Sequence, residues 1–244
     1  MNINSWSKAF GKKVVKELFT EKEMQSILNE TIKLTREEDK KDYIWKFYES
    51  ENNKINRIEY FVNYNKFFNI LSQNEKIVNQ VNELMQEDSV LFKDKINCKY
   101  PNGEGFHSHQ DITAGWGNYT NRHVSMALPM RDTGWENGGI LFGKKENEQL
   151  TKNFTNLDID IDYNLEPTKL GDAIFFDSYV PHKSGKNTSL ESRFILFLTY
   201  TPKSEGSFYE QYHMDKFKNV PPDIYKIKGK KYRSGNSNIK KIYK

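Results

Sequence analysis

The stretch from Val90 to Pro202 constrains the fold of this chain more than any other. It holds the segments VLFKDKINCKY (90–100), HVSMALPM (123–130), GGILFG (138–143), GDAIFFDSYV (171–180) and SRFILFLTYTP (192–202). They are rich in β-branched and aromatic residues and are bounded by Gly, Pro and Asn, the pattern of short strands between turns. PNGEG at 101–105 and ENGG at 136–139 supply the turn chemistry. No helical pattern alternates with these segments, so a parallel sheet with crossover helices is excluded. An antiparallel sandwich or barrel with helices packed outside it is expected. In the first segment Val90, Phe92, Asp94, Ile96 and Cys98 share one face, more apolar than the face of Leu91, Lys93, Lys95, Asn97 and Lys99.

The N-terminal part reads as helical. TEKEMQSILNETIKL (20–34) opens with Thr20 as a cap, Glu23 at the capping-box position and a stripe of Met24, Ile27, Leu28, Ile32 and Leu34. Two further short helices are expected around Phe67–Leu71 and Ile77–Met85. The 244 residues suit one domain, helical over about 1–88, a barrel over about 89–203 and an extension over 204–244. With 16 Phe, 14 Tyr and 4 Trp the chain has the material for a packed core. A net charge of only +4 implies no broad nucleic-acid surface, so the lysines of 226–231 and 240–244 read as a solvated tail. The one cysteine, Cys98, rules out an intrachain disulfide and a thiolate metal cluster. No apolar run approaches the roughly 18–20 residues that cross a bilayer. A cytoplasmic protein with no membrane partner is expected, its oligomeric state open.

Three of the five histidines lie in GFHSHQDITAGWGNYTNRH (105–123). Were HSHQD a strand, His107, His109 and Asp111 would share a face, and His109 with Asp111 would offer an imidazole and a carboxylate to one ion. His182 follows an apolar strand and a proline, at what would be the mouth of a barrel. Two imidazoles and one carboxylate leave open positions on an ion, as in non-haem Fe(II) oxygenases; the same set also suits a catalytic zinc hydrolase. Ser184 lies two residues beyond His182, and Arg193 opens the next apolar strand. If a hairpin through GKNTS joined these segments, the Arg193 guanidinium would face the same cavity and grip a carboxylate bidentately. A dicarboxylate such as 2-oxoglutarate meets that description, its keto-acid end on iron and its far carboxylate on Arg193 and Ser184. His107, His123 and His213 read as surface groups or as supports for the ligands.

These features resemble the Fe(II)/2-oxoglutarate-dependent oxygenases of the phytanoyl-CoA dioxygenase family. The resemblance lies in the H-x-D pair, the ENGG turn, the GDAIFFDSYVPH strand and the following Ser and Arg. It implies a double-stranded β-helix (jelly-roll, cupin-like) barrel, mainly β with flanking α-helices. It also implies iron held by His109, Asp111 and His182, 2-oxoglutarate bound by Arg193 and Ser184, and O2 as the oxidant. Phe106, three residues before the first ligand, corresponds to an aromatic that lines the cosubstrate pocket, and Asn97 is a further cosubstrate candidate. NRIEYF (56–61), residues 90–116 and EGSFYEQYHMDKFKNVPPD (205–223) are similar to 2-aminoethylphosphonate dioxygenases and their trimethylated-substrate relatives. That branch hydroxylates the carbon next to phosphorus, and a partner oxygenase, expected to be of the HD type, then cleaves the product. The chain departs from the branch in FGKKENEQL (142–150), where relatives carry a Pro-Gly-Ser-His-like turn in the lid region.

Hydroxylation is the expected outcome, because the Asp111 carboxylate fills the place that a halide takes in halogenases. A phosphonate dianion calls for cations, for which Lys95, Lys99 and Arg122 are candidates. An ammonium end calls for Trp116, Tyr119 or Asp177. Arg57 and Glu59 either orient one another near the site or form a surface pair. The same hydroxylation of an amino acid, a quaternary amine or a natural-product intermediate is the alternative. A metal-dependent hydrolase or a non-catalytic barrel is the reading from a different class.

Overall fold

The structure, a computed structural model, describes residues 11–38, 43–49, 53–143, 161–230 and 232. Eleven strands among these form two antiparallel sheets. The larger has the order β1-β9-β6-β11-β4-β3-β2, with β1 Lys12–Val15, β2 Trp45–Tyr48, β3 Ile55–Glu59, β4 Ser89–Lys99, β6 Val124–Pro129, β9 Ala173–Asp177 and β11 Arg193–Pro202. The smaller runs β5-β10-β7-β8, with β5 Phe106–His109, β7 Ile140–Gly143, β8 Tyr163–Leu165 and β10 His182–Ser184. Side chains of both sheets, among them Phe142 and Ile140 from the smaller and Phe176, Ile195 and Phe197 from the larger, pack into one buried cluster between them. Two antiparallel sheets closed face to face make the jelly-roll barrel that the strand pattern and the resemblance call for.

The large sheet is sandwiched. On β11, Phe194, Leu196, Leu198 and Tyr200 pack outward into a second, larger cluster, while Ile195 and Phe197 point into the barrel. The period-2 geometry of a strand buried on both faces produces this division. Helices α1 (Glu21–Arg36), α2 (Lys66–Ser72) and α3 (Glu75–Met85) supply the other half of the outer cluster through Ile27, Leu34, Phe68, Ile77 and Val81. Helix α1 starts as its sequence dictates. The Glu23 amide donates to Thr20 Oγ1 at 3.3 Å and the Thr20 amide to Glu23 Oε2 at 2.7 Å, a reciprocal cap worth about 1 kcal/mol.

Two features differ from the sequence reading. The first 88 residues are not purely helical, because β1, β2 and β3 extend the large sheet at both ends. These strands are four or five residues long and carry polar residues, so they lack an alternation long enough to register. The extension after Pro202 is also structured: α4 (Tyr209–Asn219) packs on β4 and buries Tyr209, Tyr212, His213 and Lys216. Lys240–Lys244 and the 144–150 part of the FGKKENEQL segment lie outside the described residues. No helix among the described residues is long and apolar enough to cross a membrane.

Candidate active site

His109 and His182 face each other directly across the β5–β10 ladder, their ring centroids 4.3 Å apart. Asp111 is not on a strand. The chain leaves β5 at His109 and turns into a 3-10 helix, Asp111–Ala114, which swings the carboxylate back toward the imidazoles. The residues on either side pin that turn to the segment before His182. Gln110 Nε2 donates to the Tyr179 carbonyl at 2.5 Å and the Ile112 amide to the Ser178 carbonyl at 3.1 Å. Asp111 Oδ1 lies 3.7 Å from His109 Nε2, and its Oδ2 lies 4.0 Å from His182 Nε2.

This donor set fits a divalent cation. One atom from each of the three residues lies within 4.8 Å of the others, and bonds near 2.1 Å place neighbouring ligand atoms about 3–4 Å apart. His109 Nδ1 is 2.7 Å from the His107 carbonyl and His182 Nδ1 is 3.0 Å from the Val180 carbonyl. A carbonyl only accepts, so both Nδ1 atoms carry the proton and both Nε2 lone pairs point at the Asp111 side. Burial, then the neighbouring His182, pulls the His109 pKa down to about 4, and burial also lowers that of His182. Burial works against the Asp111 charge, but His182, Lys95 and His109 outweigh it and bring the pKa to about 2. At neutral pH the group presents two neutral imidazoles and one carboxylate.

An inner recess opens beside the pair of histidines, lined by Asn97, Phe106, Ile140, Ser184, Arg193 and Phe197. Ser184 and Arg193 do not reach it through a hairpin. β10 pairs with β5 and β7 in the small sheet, whereas β11 pairs with β4 and β6 in the large one. The two side chains therefore meet across the barrel. Arg193 is 1 % exposed and forms no ion pair among the described residues. Its Nε and one terminal nitrogen donate to the carbonyls of Asn137 (3.2 Å) and Gly138 (2.8 Å). The ENGG turn thus clamps the guanidinium by its back edge. Gly138 has φ +66°, and a Cβ there would collide with the Gly185 carbonyl and Lys99 Nζ. Ser184 Oγ accepts from Lys99 Nζ at 2.9 Å and from the Phe106 amide at 3.2 Å, which leaves its proton to donate into the recess. Asn97 Oδ1 is buried with no hydrogen-bond partner among the described residues. Burial, then Arg193, pulls the Lys99 pKa down to about 7. Together these groups make a cationic, donor-rich end suited to a carboxylate.

An outer cavity of about 400 Å³ opens on the other side of His109 and Asp111. Its walls include Arg57 and Glu59 from β3, Lys93 and Lys95 from β4, and Tyr212 and Lys216 from α4. Glu59, 1 % exposed, is bonded by Arg57 Nε at 2.8 Å and by Lys216 Nζ. Of the two readings for Arg57 and Glu59, the structure takes the one beside the site. Burial, then Lys93, brings the Lys95 pKa down to about 8. Burial also opposes the Lys93 charge, but Tyr212, Glu59 and Asp111 outweigh it and hold its pKa above the usual lysine value.

The remaining sequence candidates are placed elsewhere. Lys99 serves the recess rather than the outer cavity. Arg122 is tied to Glu87 at 2.6 Å and to the Met85 carbonyl at 2.6 Å. Tyr119 donates to Asp215 at 2.9 Å, and Asp177 accepts the Tyr179 amide at 2.6 Å at the end of β9. Trp116 already faces a cation, the Lys93 ammonium 5.3 Å from its ring centroid, and is no platform for a ligand ammonium. His107 is exposed. His123 is not a surface group: it is buried against Phe92 and Trp116, 3.4 Å from Ser178 Oγ. His213 is also fully buried, its Nε2 3.3 Å from Asp94, whose carboxylate accepts the amides of Tyr60, Phe61 and Val62. Sequence reasoning passed over Lys93, Tyr212 and Lys216 as site residues. The polar face of β4 carried a signal for the first, and the other two lie in the 205–223 segment that carries the resemblance, with no pattern singling them out within it.

The phytanoyl-CoA dioxygenase (PhyH) family model matches residues 8–195. A 2-aminoethylphosphonate dioxygenase from uncultured bacterium HF130_AEPn_1 is 37% identical over 188 residues, 74% of this chain and 72% of that protein. The methylphosphonate hydroxylase of Gimesia maris is 34% identical over 168 residues, 66% of this chain and 64% of that protein. Among solved structures, EctD from S. alaskensis with 2-oxoglutarate and 5-hydroxyectoine superposes with a TM-score of 0.70 at 18% identity, covering 83% of this chain and 77% of EctD. The non-haem α-ketoglutarate-dependent epimerase SnoN from nogalamycin biosynthesis gives a TM-score of 0.67 at 16% identity, covering 82% of each chain. The chain belongs to the phytanoyl-CoA dioxygenase family. It is a non-haem iron, 2-oxoglutarate-dependent dioxygenase, with O2 as co-substrate and a small molecule as substrate.

Proposed function

We propose that this enzyme hydroxylates a small phosphonate at the carbon bonded to phosphorus, with 2-aminoethylphosphonate or an N-methylated relative as first candidate. In this reading His109, Asp111 and His182 hold the iron. Arg193 and Ser184, with Asn97 and Phe106 alongside, hold 2-oxoglutarate in the inner recess. The bound iron, with 2-oxoglutarate and O2, supplies the oxidising power that breaks a C–H bond. The protein contributes placement. Arg193 and the Ser184 hydroxyl fix the far carboxylate of the cosubstrate, the Asp111 turn fixes the carboxylate ligand, and the outer cavity sets which C–H bond lies against the metal.

The observation that carries the substrate class is the charge of the outer cavity, where cations outnumber carboxylates at the edge of the metal ligands. Glu59 is already bonded to two cations and Asp111 belongs to the metal group, so the cavity suits an anion better than a simple quaternary amine. Relatives named for 2-aminoethylphosphonate and methylphosphonate support the phosphonate. The test is succinate formation by anaerobically loaded enzyme on admission of air. Stimulation by 2-aminoethylphosphonate or methylphosphonate, with a 1-hydroxylated product, is expected. Stimulation by amino acids or amines alone would overturn the phosphonate reading.

A further inference from the structure

Among the cations of the outer cavity, most are already committed. Arg57 and Lys216 both bond Glu59, and Lys226 bonds Asp223. Lys93 and Lys95 differ: neither has a carboxylate within ion-pairing distance among the described residues. Lys93 is 8 % exposed. What each has instead is an aromatic face. Lys93 Nζ lies 5.3 Å from the Trp116 ring and 5.6 Å from that of Tyr212, and Lys95 Nζ lies 4.4 Å from the Phe197 ring. These contacts fix where the ammonium groups sit without neutralising them. Two ammonium groups on one strand face repel each other, and with no carboxylate bonded directly to either among the described residues, their N–H groups remain available to an anion.

Their position limits what that anion is. Residues two apart on a strand lie roughly 7 Å apart, so both ammonium groups can reach a single multi-oxygen group held between them. Lys95 lines the outer cavity and the inner recess alike, sharing both with His109, and Lys93 shares the outer cavity with Asp111. An anion held there sits at the metal ligands and not at the cavity mouth. The C–H bond nearest the metal is then on the carbon attached to that anion.

We infer that Lys93 and Lys95 form the subsite for the phosphonate group and that their place beside His109 and Asp111 selects the C–H bond next to phosphorus. The inference rests on the proposed phosphonate reaction, which it extends to named residues and to the position of attack. Arg57 and Lys216, both bonded to Glu59, form a cross-linked frame beside it.

The test has two arms. In the first, methylphosphonate binding to metal-free protein is followed by calorimetry for the wild type, Lys93→Met, Lys95→Met and the charge-retaining Lys95→Arg. A loss of about 30-fold or more is expected for each Met variant, with partial recovery in Lys95→Arg. The 2-oxoglutarate absorption band of the iron-loaded variants should be unchanged. In the second arm ethylphosphonate is the substrate: the wild type should yield only the 1-hydroxy product, and Lys95→Met a mixture with the 2-hydroxy isomer. Unaltered methylphosphonate affinity in both Met variants, with phosphonate still turned over, overturns the subsite and leaves the reaction standing. Lysine-dependent binding of methylphosphonate or inorganic phosphate without turnover of any phosphonate has the opposite meaning. The subsite then stands as an oxyanion receptor and the reaction assignment falls. Should a Met variant fail to fold, Lys95→Arg and protection of the wild type against thermal unfolding by phosphate carry the same decision: no protection overturns the subsite.

Discussion

Replacing Arg193 by Met should separate cosubstrate binding from metal binding. The guanidinium is buried, spends its back edge on two carbonyls and has no acidic partner among the described residues. Its remaining N–H groups are the strongest carboxylate donors at that end of the recess. Breaking a buried charge pair of this kind costs about 3–5 kcal/mol, or roughly 100- to 1000-fold or more in Kd. The effect is read through ligand-induced stabilisation. At a 2-oxoglutarate concentration about 100 times the wild-type Kd, the ligand adds about 2.7 kcal/mol, which for a chain of this size raises Tm by about 5–11 °C. At the same concentration the variant should gain about 1 °C or less. The ligand-induced shift is the right quantity, because the substitution also strips two carbonyls of their donors and so moves the absolute Tm. Iron content, measured in parallel, should be unchanged. An undiminished shift in Arg193→Met, or loss of the iron together with the cosubstrate, would refute the anchoring role.

Asp111→Ala should retain little iron and turn over no substrate, as iron analysis and succinate release would show. Gly138→Ala forces a Cβ against the Gly185 carbonyl and Lys99 at a left-handed position, and should weaken 2-oxoglutarate binding about tenfold by displacing the turn that clamps Arg193. Asp94→Asn should destabilise the fold by about 3–5 kcal/mol at pH 7 in denaturant unfolding, since it leaves the charge-assisted bonds from three amides and the His213 contact weakened. Burial opposes the Asp94 charge, but His213 and those amides outweigh it and lower the pKa. Its contribution is therefore present above the unfolded-state pKa of about 3.9 and is lost as pH falls through the lower folded value. The gap between wild type and Asp94→Asn should narrow below about pH 4.

Much of this architecture was legible in the chain because β4, β6, β9 and β11 alternate or are apolar over five to eleven residues and are separated by turn residues. The convergence of His109, Asp111 and His182 was legible because a histidine and an aspartate two apart, with a remote histidine after an apolar strand, is a spacing that can bring three donor atoms together. The hairpin expected between His182 and Arg193 was not what the chain does, since proximity in sequence does not say which sheet a strand joins. β4 shows the subtler limit. Its alternation is plain, but a polar face ordinarily meets water, and here Lys93, Lys95 and Asn97 face the barrel interior while Ile96 and Cys98 pack under the helices. Only the arrival of helices on the outer face inverts that meaning. Lys216 and Tyr212 were illegible for a related reason: α4 has few apolar residues, and these two of its four buried positions face a cavity that no local pattern announces.

The split of the recess between two sheets has a mechanical consequence. His182 and Ser184 ride on the four-stranded sheet, while Arg193 and Asn97 ride on the seven-stranded one. A molecule gripped by both is a crossbar spanning the mouth of the barrel, and it should quiet the narrow sheet as a whole. Amide protons of β8, the strand of that sheet with no residue lining the recess, should then exchange more slowly once 2-oxoglutarate is bound.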